Sequence, residues 1–299
     1  MKSICALLIL LLATSCSSPK AGVSHHAPKK LLVVTTTLEF RHACIPTTEK
    51  VLAELGQSSG EFTIELVQQP TNKPASPGRG ATEESRAAYR TAETNWENSL
   101  KLALQKLSPE SLKGYDGVIF ADTTGNLPIP DKQGFLDWIK AGHAFIGIHS
   151  ASDTFHGWPA YLEMLGGEFD HHGQQTGVSI LVQDSQNPAT AALGKTWEIS
   201  REEIYQFKRY NATNVHELLV LDKSPQTGQP GHFPLAWCKS YGKGKVFYTA
   251  LGHRDDIVDT NPNSGERLNS GDRRNSVEIS KAYQAHLLGG IEWALGLKQ

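Results

Sequence analysis

Twelve histidines in a chain of 299 residues are the first chemical feature of this sequence. Three of them stand just past segments that read as strands: His42 ends Leu38-Glu39-Phe40-Arg41-His42, His149 follows Ala144-Phe145-Ile146-Gly147-Ile148, and His253 follows Thr249-Ala250-Leu251-Gly252. An imidazole titrates near neutral pH, so it can take a proton, give one, or ligate a metal. Gly147-Ile148-His149-Ser150-Ala151 has the strand, sharp turn and small flanking residues of a nucleophile elbow, but His149 holds the tip that a covalent hydrolase fills with Ser or Cys. Ser150 is one residue out of register, and neither Cys44 nor Cys238 lies in such a context. The pattern therefore suits proton transfer without a covalent nucleophile, with His149, His253, Glu203 and His42 as the catalytic candidates. Glu203 and Tyr205, two apart on an expected strand, would face the same side, which suits substrate hydroxyls or a general base. Arg41 reads as a clamp for an anion or a carbonyl. His149, His172, Glu203 and His253 could alternatively hold a divalent cation such as zinc, although no tight spacing such as His-x-x-x-His marks a site.

Positioning these residues requires strands that end where they stand. Leu31–Thr35, Gly117–Ala121 and Ala144–Ile148 are continuous apolar runs, expected of strands buried on both faces. Residues 61–67 alternate as another strand, and helices are expected over 46–55 and 131–141. This alternation predicts an α/β domain with a mostly parallel sheet between helical layers. Residues 70–81 are a loop rich in Pro, Gly and Ser, and 83–107 read as a polar helix with Trp96, Leu100, Leu104 and Leu107 near one stripe, covering an edge or the mouth of a cleft. The C-terminal half adds strands at 178–182, 217–221, 235–239 and 245–250, and closes with a helix at 277–295. In open parallel sheets ligands bind beyond the carboxyl ends of the strands, so the candidate residues are expected to meet in one cleft there.

Taken together, Phe40-Arg41-His42, Thr123-Thr124-Gly125, the segment Ala141 to Ala151, Leu165-Gly166-Gly167-Glu168-Phe169, Glu202-Glu203-Ile204-Tyr205, Gly252-His253 and Gly289-Gly290-Ile291-Glu292-Trp293-Ala294 resemble the ThuA-like, or trehalose-utilisation, family. The resemblance runs in order through residues 31–296. It implies a flavodoxin-like, class I glutamine amidotransferase-like three-layer sandwich that has lost the elbow cysteine, and it singles out His172 rather than His171. The chain departs from the pattern at Glu202, where the family has Asp, and at His143, where it has Gly. The expected function is proton transfer beside a carbonyl, giving isomerisation or elimination of a keto-sugar such as a 3-keto-disaccharide. His172, Tyr205, Trp158 and Trp237 would join Arg41 in binding that sugar. The rival expectation is a non-catalytic carbohydrate-binding lipoprotein on a degenerate amidotransferase fold.

The rest of the composition bounds location and partners. Residues 1–15, Lys2 followed by the apolar run from Ile4 to Ala13, read as a signal peptide, and Ser15-Cys16 as a lipoprotein box that would anchor the exported chain to a membrane through Cys16. Residues 16–30 read as a flexible tether and 31–299 as one domain. With 29 basic and 31 acidic residues, net charge −2, the chain offers no electrostatic handle for nucleic acid. Cys44 and Cys238 could pair in an oxidising compartment, but two cysteines so far apart more often sit buried and unpaired.

Overall fold

The computed structural model describes residues 27–261 and 273–299. The signal-peptide and Cys16 lipidation expectations, and all of the tether before residue 27, lie outside the described residues.

The chain winds through β1 (Lys29–Val34), α1 (Ile45–Ser59), β2 (Phe62–Val67), α2 (Glu83–Ala103), α3 (Pro109–Leu112), β3 (Gly117–Ala121), α4 (Lys132–Lys140) and β4 (Ala144–Ile148). It continues through α5 (Pro159–Leu165), β5 (Glu168–His172), β6 (Thr176–Val182), β7 (Thr196–Glu202), β8 (Tyr205–Lys208), β9 (His216–Lys223), β10 (Pro230–Tyr241) and β11 (Gly244–Thr249), and ends in α6 (Asp255–Val258) and α7 (Val277–Ala294). Among the described residues nine strands form one sheet in the order β2-β1-β3-β4-β11-β10-β9-β6-β7. The first five are mutually parallel, in the 2-1-3-4-5 order of a doubly wound fold, and β10, β9, β6 and β7 extend the sheet antiparallel. The three-layer α/β expectation with extra C-terminal strands therefore holds.

Alternation along the strands builds the layers. Leu31, Val33, Ile119, Ile146 and Phe247 face a core shared with α1 and α7, whereas Leu32, Val34, Phe120, Phe145 and Tyr248 face one shared with α2, α4 and α5. The helix expected over 83–107 starts at Thr82, whose side chain caps Ser85 N, and tightens into a 3₁₀ turn at Leu104–Leu107. Its Trp96 and Leu100 are buried in the second core, and its Tyr89, Glu93, Trp96 and Glu97 line a cavity with Leu38, Lys73 and Pro74. Cys44 and Cys238 are both buried free thiols.

Two local expectations are corrected. Asp170, His171 and His172, whose sequence reads as a loop after Phe169, complete β5, which pairs antiparallel with β8 in a separate ribbon, His172 opposite Tyr205. Glu203 is not on a strand: it lies in the two-residue break between β7 and β8. The break turns its carboxylate toward the parallel strand ends, an orientation that strand alternation would not give.

Candidate active site

Four connections converge beyond the carboxyl ends of β1, β3, β4 and β11, spanning the β1/β3 point where strand order reverses and ligands of doubly wound folds bind. His149 begins a 3₁₀ turn directly after β4 with φ at 49°. That left-handed backbone costs a non-glycine residue about 1–2 kcal/mol, so neighbours must hold it. They do so through the Tyr248 hydroxyl, which donates to the His149 carbonyl at 2.7 Å, and through His149 Nδ1, 2.8 Å from the Ala250 carbonyl. A carbonyl only accepts, so Nδ1 carries a hydrogen, and Nε2 is the ring nitrogen that faces the site.

His253 follows Gly252, whose φ is 125° and whose missing side chain leaves room for the Tyr283 hydroxyl, 2.6 Å from where a Cβ would stand. The backbone N–H groups of Gly252 and His253 both donate to Glu202 Oε1, at 2.9 and 2.7 Å. His253 Nδ1 thereby comes to lie 3.3 Å from His149 Nε2 and 3.2 Å from Glu203 Oε2, and Glu203 Oε2 is 3.5 Å from His149 Nε2. His42 closes the group from the β1 side, its ring edge-on to those of His149 and His253 with centroids 4.7 and 5.3 Å away. One ligand-capable atom from each of His42, His149, Glu203 and His253 lies within 4.8 Å of every other. His172 approaches from the ribbon, Nδ1 3.2 Å from Glu203 Oε1, and remains substantially exposed.

The electrostatics follow from this crowding. Burial, reinforced by His149 and His253, pulls the His42 imidazole down to about 2, so it stays neutral. Burial also acts against charge on His149 and Glu203, but their mutual contact prevails: His149 is raised, and Glu203, bonded by His149 and His253, is held well below the usual carboxylate range. Behind them, burial pushes Glu202 up to about 7 and Asp122 up to about 6. Neither of these two was among the sequence candidates. Glu202 stood next to Glu203 and Asp122 ended the third expected strand, but only the fold shows that both back the histidines.

Two of the expected sugar-binding aromatics, Trp237 and Tyr205, belong to the second core. Trp237 is fully buried with Nε1 donating to the Leu165 carbonyl at 2.7 Å, so it is a core residue and cannot stack on a sugar. Tyr205 is buried too, its ring 4.3 Å from that of His149 and 4.2 Å from Phe169, a backing wall for the elbow rather than a platform. Trp158 is half-buried against Phe155 and Tyr161. Arg41 Nη1 turns back to the Thr35 carbonyl and Gln69 Oε1, at 3.0 and 3.2 Å.

The sequence matches the family described as ThuA, trehalose utilisation, over residues 30–271. Among solved structures the chain is similar to a ThuA-like protein from Parabacteroides merdae, at 20% identity and TM-score 0.59 with 91% of each chain covered. It is also similar to a ThuA-like protein from Bacteroides uniformis, at 18% identity and TM-score 0.56, covering 92% of this chain and 94% of that one. No curated protein matches it.

Proposed function

Because the chain belongs to the ThuA family, we propose that it is an exported, sugar-processing enzyme whose buried His42–His149–Glu203–His253 cluster holds a divalent cation. One observation carries the reading. The edges of the triangle formed by His149 Nε2, Glu203 Oε2 and His253 Nδ1 are 3.2–3.5 Å. A tetrahedral ion about 2.0–2.1 Å from its ligands separates them by about 3.3–3.4 Å. The donor set also fits in chemistry: a neutral His42, a carboxylate, and a His149 whose outer nitrogen is fixed by a backbone carbonyl, the usual support for a ligating imidazole. When bound, such a cation polarises a carbonyl oxygen.

A keto-sugar supplies that carbonyl, and its adjacent C–H is acidified. Isomerisation and elimination both begin with loss of this proton, so neither needs the cysteine that His149 replaces. His172, exposed and in contact with Glu203 Oε1, is the group placed to exchange a proton between substrate and solvent. Behind the histidines Glu202 holds the Gly252 and His253 backbone N–H groups and so positions His253. The same proposal includes the membrane anchor at Cys16 and the release of the chain from the cytoplasm.

The test is metal analysis of the purified full chain together with incubation with 3-keto-trehalose. About one equivalent of divalent metal, and turnover lost on chelation and restored by zinc, manganese or cobalt, is the expected result. Sugar binding without turnover would instead make the protein a carbohydrate-binding lipoprotein. Absence of both metal and sugar binding would overturn the proposal.

A further inference from the structure

Among the described residues only two large apolar side chains are exposed, Phe40 at 57% and Leu102 at 73%. Leu102 lies on the outer face of α2, whereas Phe40 stands at the histidine cluster, its ring 4.8 Å from that of His42 and nearly perpendicular to it. An exposed aromatic ring loses water contacts only when something covers it, so its place beside a polar site calls for an explanation.

The backbone that carries Phe40 is fastened. Leu38 N donates to the Thr124 carbonyl at 3.0 Å, Glu39 N to Thr124 Oγ1 at 3.3 Å, and Thr124 Oγ1 to the Phe40 carbonyl at 2.9 Å. Gly125, with φ at 78°, allows this approach, because a Cβ there would lie 3.0 Å from Leu38 Cβ and 3.2 Å from Glu39 Cγ. Thr124 and Gly125 thus act as a clamp that holds the Phe40 segment across the β1/β3 switch point. On either side of Phe40 the exposed Glu39 and Arg41 supply an acceptor and donors, and the bonds of Arg41 to Thr35 and Gln69 both use Nη1. An aromatic face between hydrogen-bonding side chains matches a pyranose ring, which has an apolar C–H face and a rim of hydroxyls.

We propose that Phe40 is the stacking platform of the sugar subsite, receiving the C–H face of a pyranose ring while Glu39 and Arg41 bond its hydroxyls. This replaces the aromatics that the fold buries, and it rests on the reading of the cleft as sugar-acting. Its test is calorimetric titration of the metal-loaded full chain with trehalose and 3-keto-trehalose, using wild type, Phe40→Leu, Phe40→Ala and Phe40→Trp. Loss of the ring in Phe40→Leu and Phe40→Ala should weaken binding about tenfold or more, because the C–H face loses the aromatic surface it packs on. Phe40→Trp should bind within about threefold of wild type. Metal stoichiometry and melting temperature should stay unchanged in all three, because the side chain is exposed. Wild-type affinity retained in Phe40→Leu and Phe40→Ala would overturn the platform while leaving the sugar reading intact. A wild type that binds neither sugar would overturn both. Weak binding accompanied by lost metal would also overturn the platform, assigning Phe40 to support of His42.

Discussion

Replacing Glu203 by Gln tests how the cluster is held together. The change keeps the shape of the side chain but removes its charge and puts an amide N–H₂ where one oxygen stood. In one orientation that group faces His149 Nε2 and His253 Nδ1, now 3.5 and 3.2 Å from Oε2; in the other it faces His172 Nδ1, 3.2 Å from Oε1. Either way the three imidazoles lose the anion among them. Loss of a group that merely orients a ligand lowers metal affinity about 10–100-fold, so loss of a ligand charge should reach at least about a hundredfold, or about 2.7 kcal/mol. At a metal concentration about 100 times the wild-type Kd, metal stabilises the wild type by about 2.7 kcal/mol and the variant, now near its own Kd, by about 0.4 kcal/mol. For a domain of this size the difference amounts to about 5–9 °C in metal-induced melting shift. Differential scanning fluorimetry with and without zinc, backed by competition against a chromophoric chelator, reads both quantities. Affinity of Glu203→Gln within about threefold of wild type, with an equal melting shift, would refute the reasoning.

Three further outcomes are expected. His156 bonds Glu168 Oε1 and Asp153 Oδ1, each at 2.7 Å; burial disfavours its charge, but the two carboxylates prevail and raise its pKa above the ordinary 6.5. Its stabilising effect is therefore fully present below about pH 6.5 and lost as pH rises through the raised folded value, so the melting-temperature gap between wild type and His156→Gln should be largest near pH 5.5 and shrink by pH 9. A gap that widens with pH would contradict this sign. Trp237→Phe, which removes a buried bond to the Leu165 carbonyl, should cost about 1–3 kcal/mol in denaturant unfolding and leave sugar affinity unchanged; a loss of affinity without a loss of stability would return Trp237 to the binding site. Cys16→Ala should move the chain from the membrane fraction to the soluble fraction, and mass spectrometry of the wild type should find an acylated N-terminal Cys16; an unmodified N-terminus elsewhere would end the anchor proposal.

The parallel half of the fold was legible because its strands are buried on both faces and write themselves as unbroken apolar runs. Gly117–Ala121 and Ala144–Ile148 begin and end where the sequence reading placed them. The ribbon was not legible, since Glu168-Phe169-Asp170-His171-His172 lacks β-branched residues and its partner strand begins only at Tyr205. His42, His149 and His253 could be assembled from sequence because each follows a strand of the same parallel block. Glu203 arrived by a different route, a break between β7 and β8, so its residue type was readable and its placement was not. The aromatics show the opposite limit: Trp237 and Tyr205 have the composition of a sugar site, but composition carries no information on which side of a three-layer wall a ring will lie. Phe40 was read only as part of a motif, because the Thr124–Gly125 clamp that displays it is a contact between two strand ends.

X-ray absorption at the zinc edge of the reconstituted full chain addresses the central claim most directly. The account predicts one bound ion in a shell of nitrogen and oxygen only, about 2.0–2.1 Å away, with imidazole multiple scattering from three histidines that falls to two in His253→Ala. A sulfur shell at about 2.3 Å, an oxygen-only shell, or a spectrum unchanged by His253→Ala would contradict it.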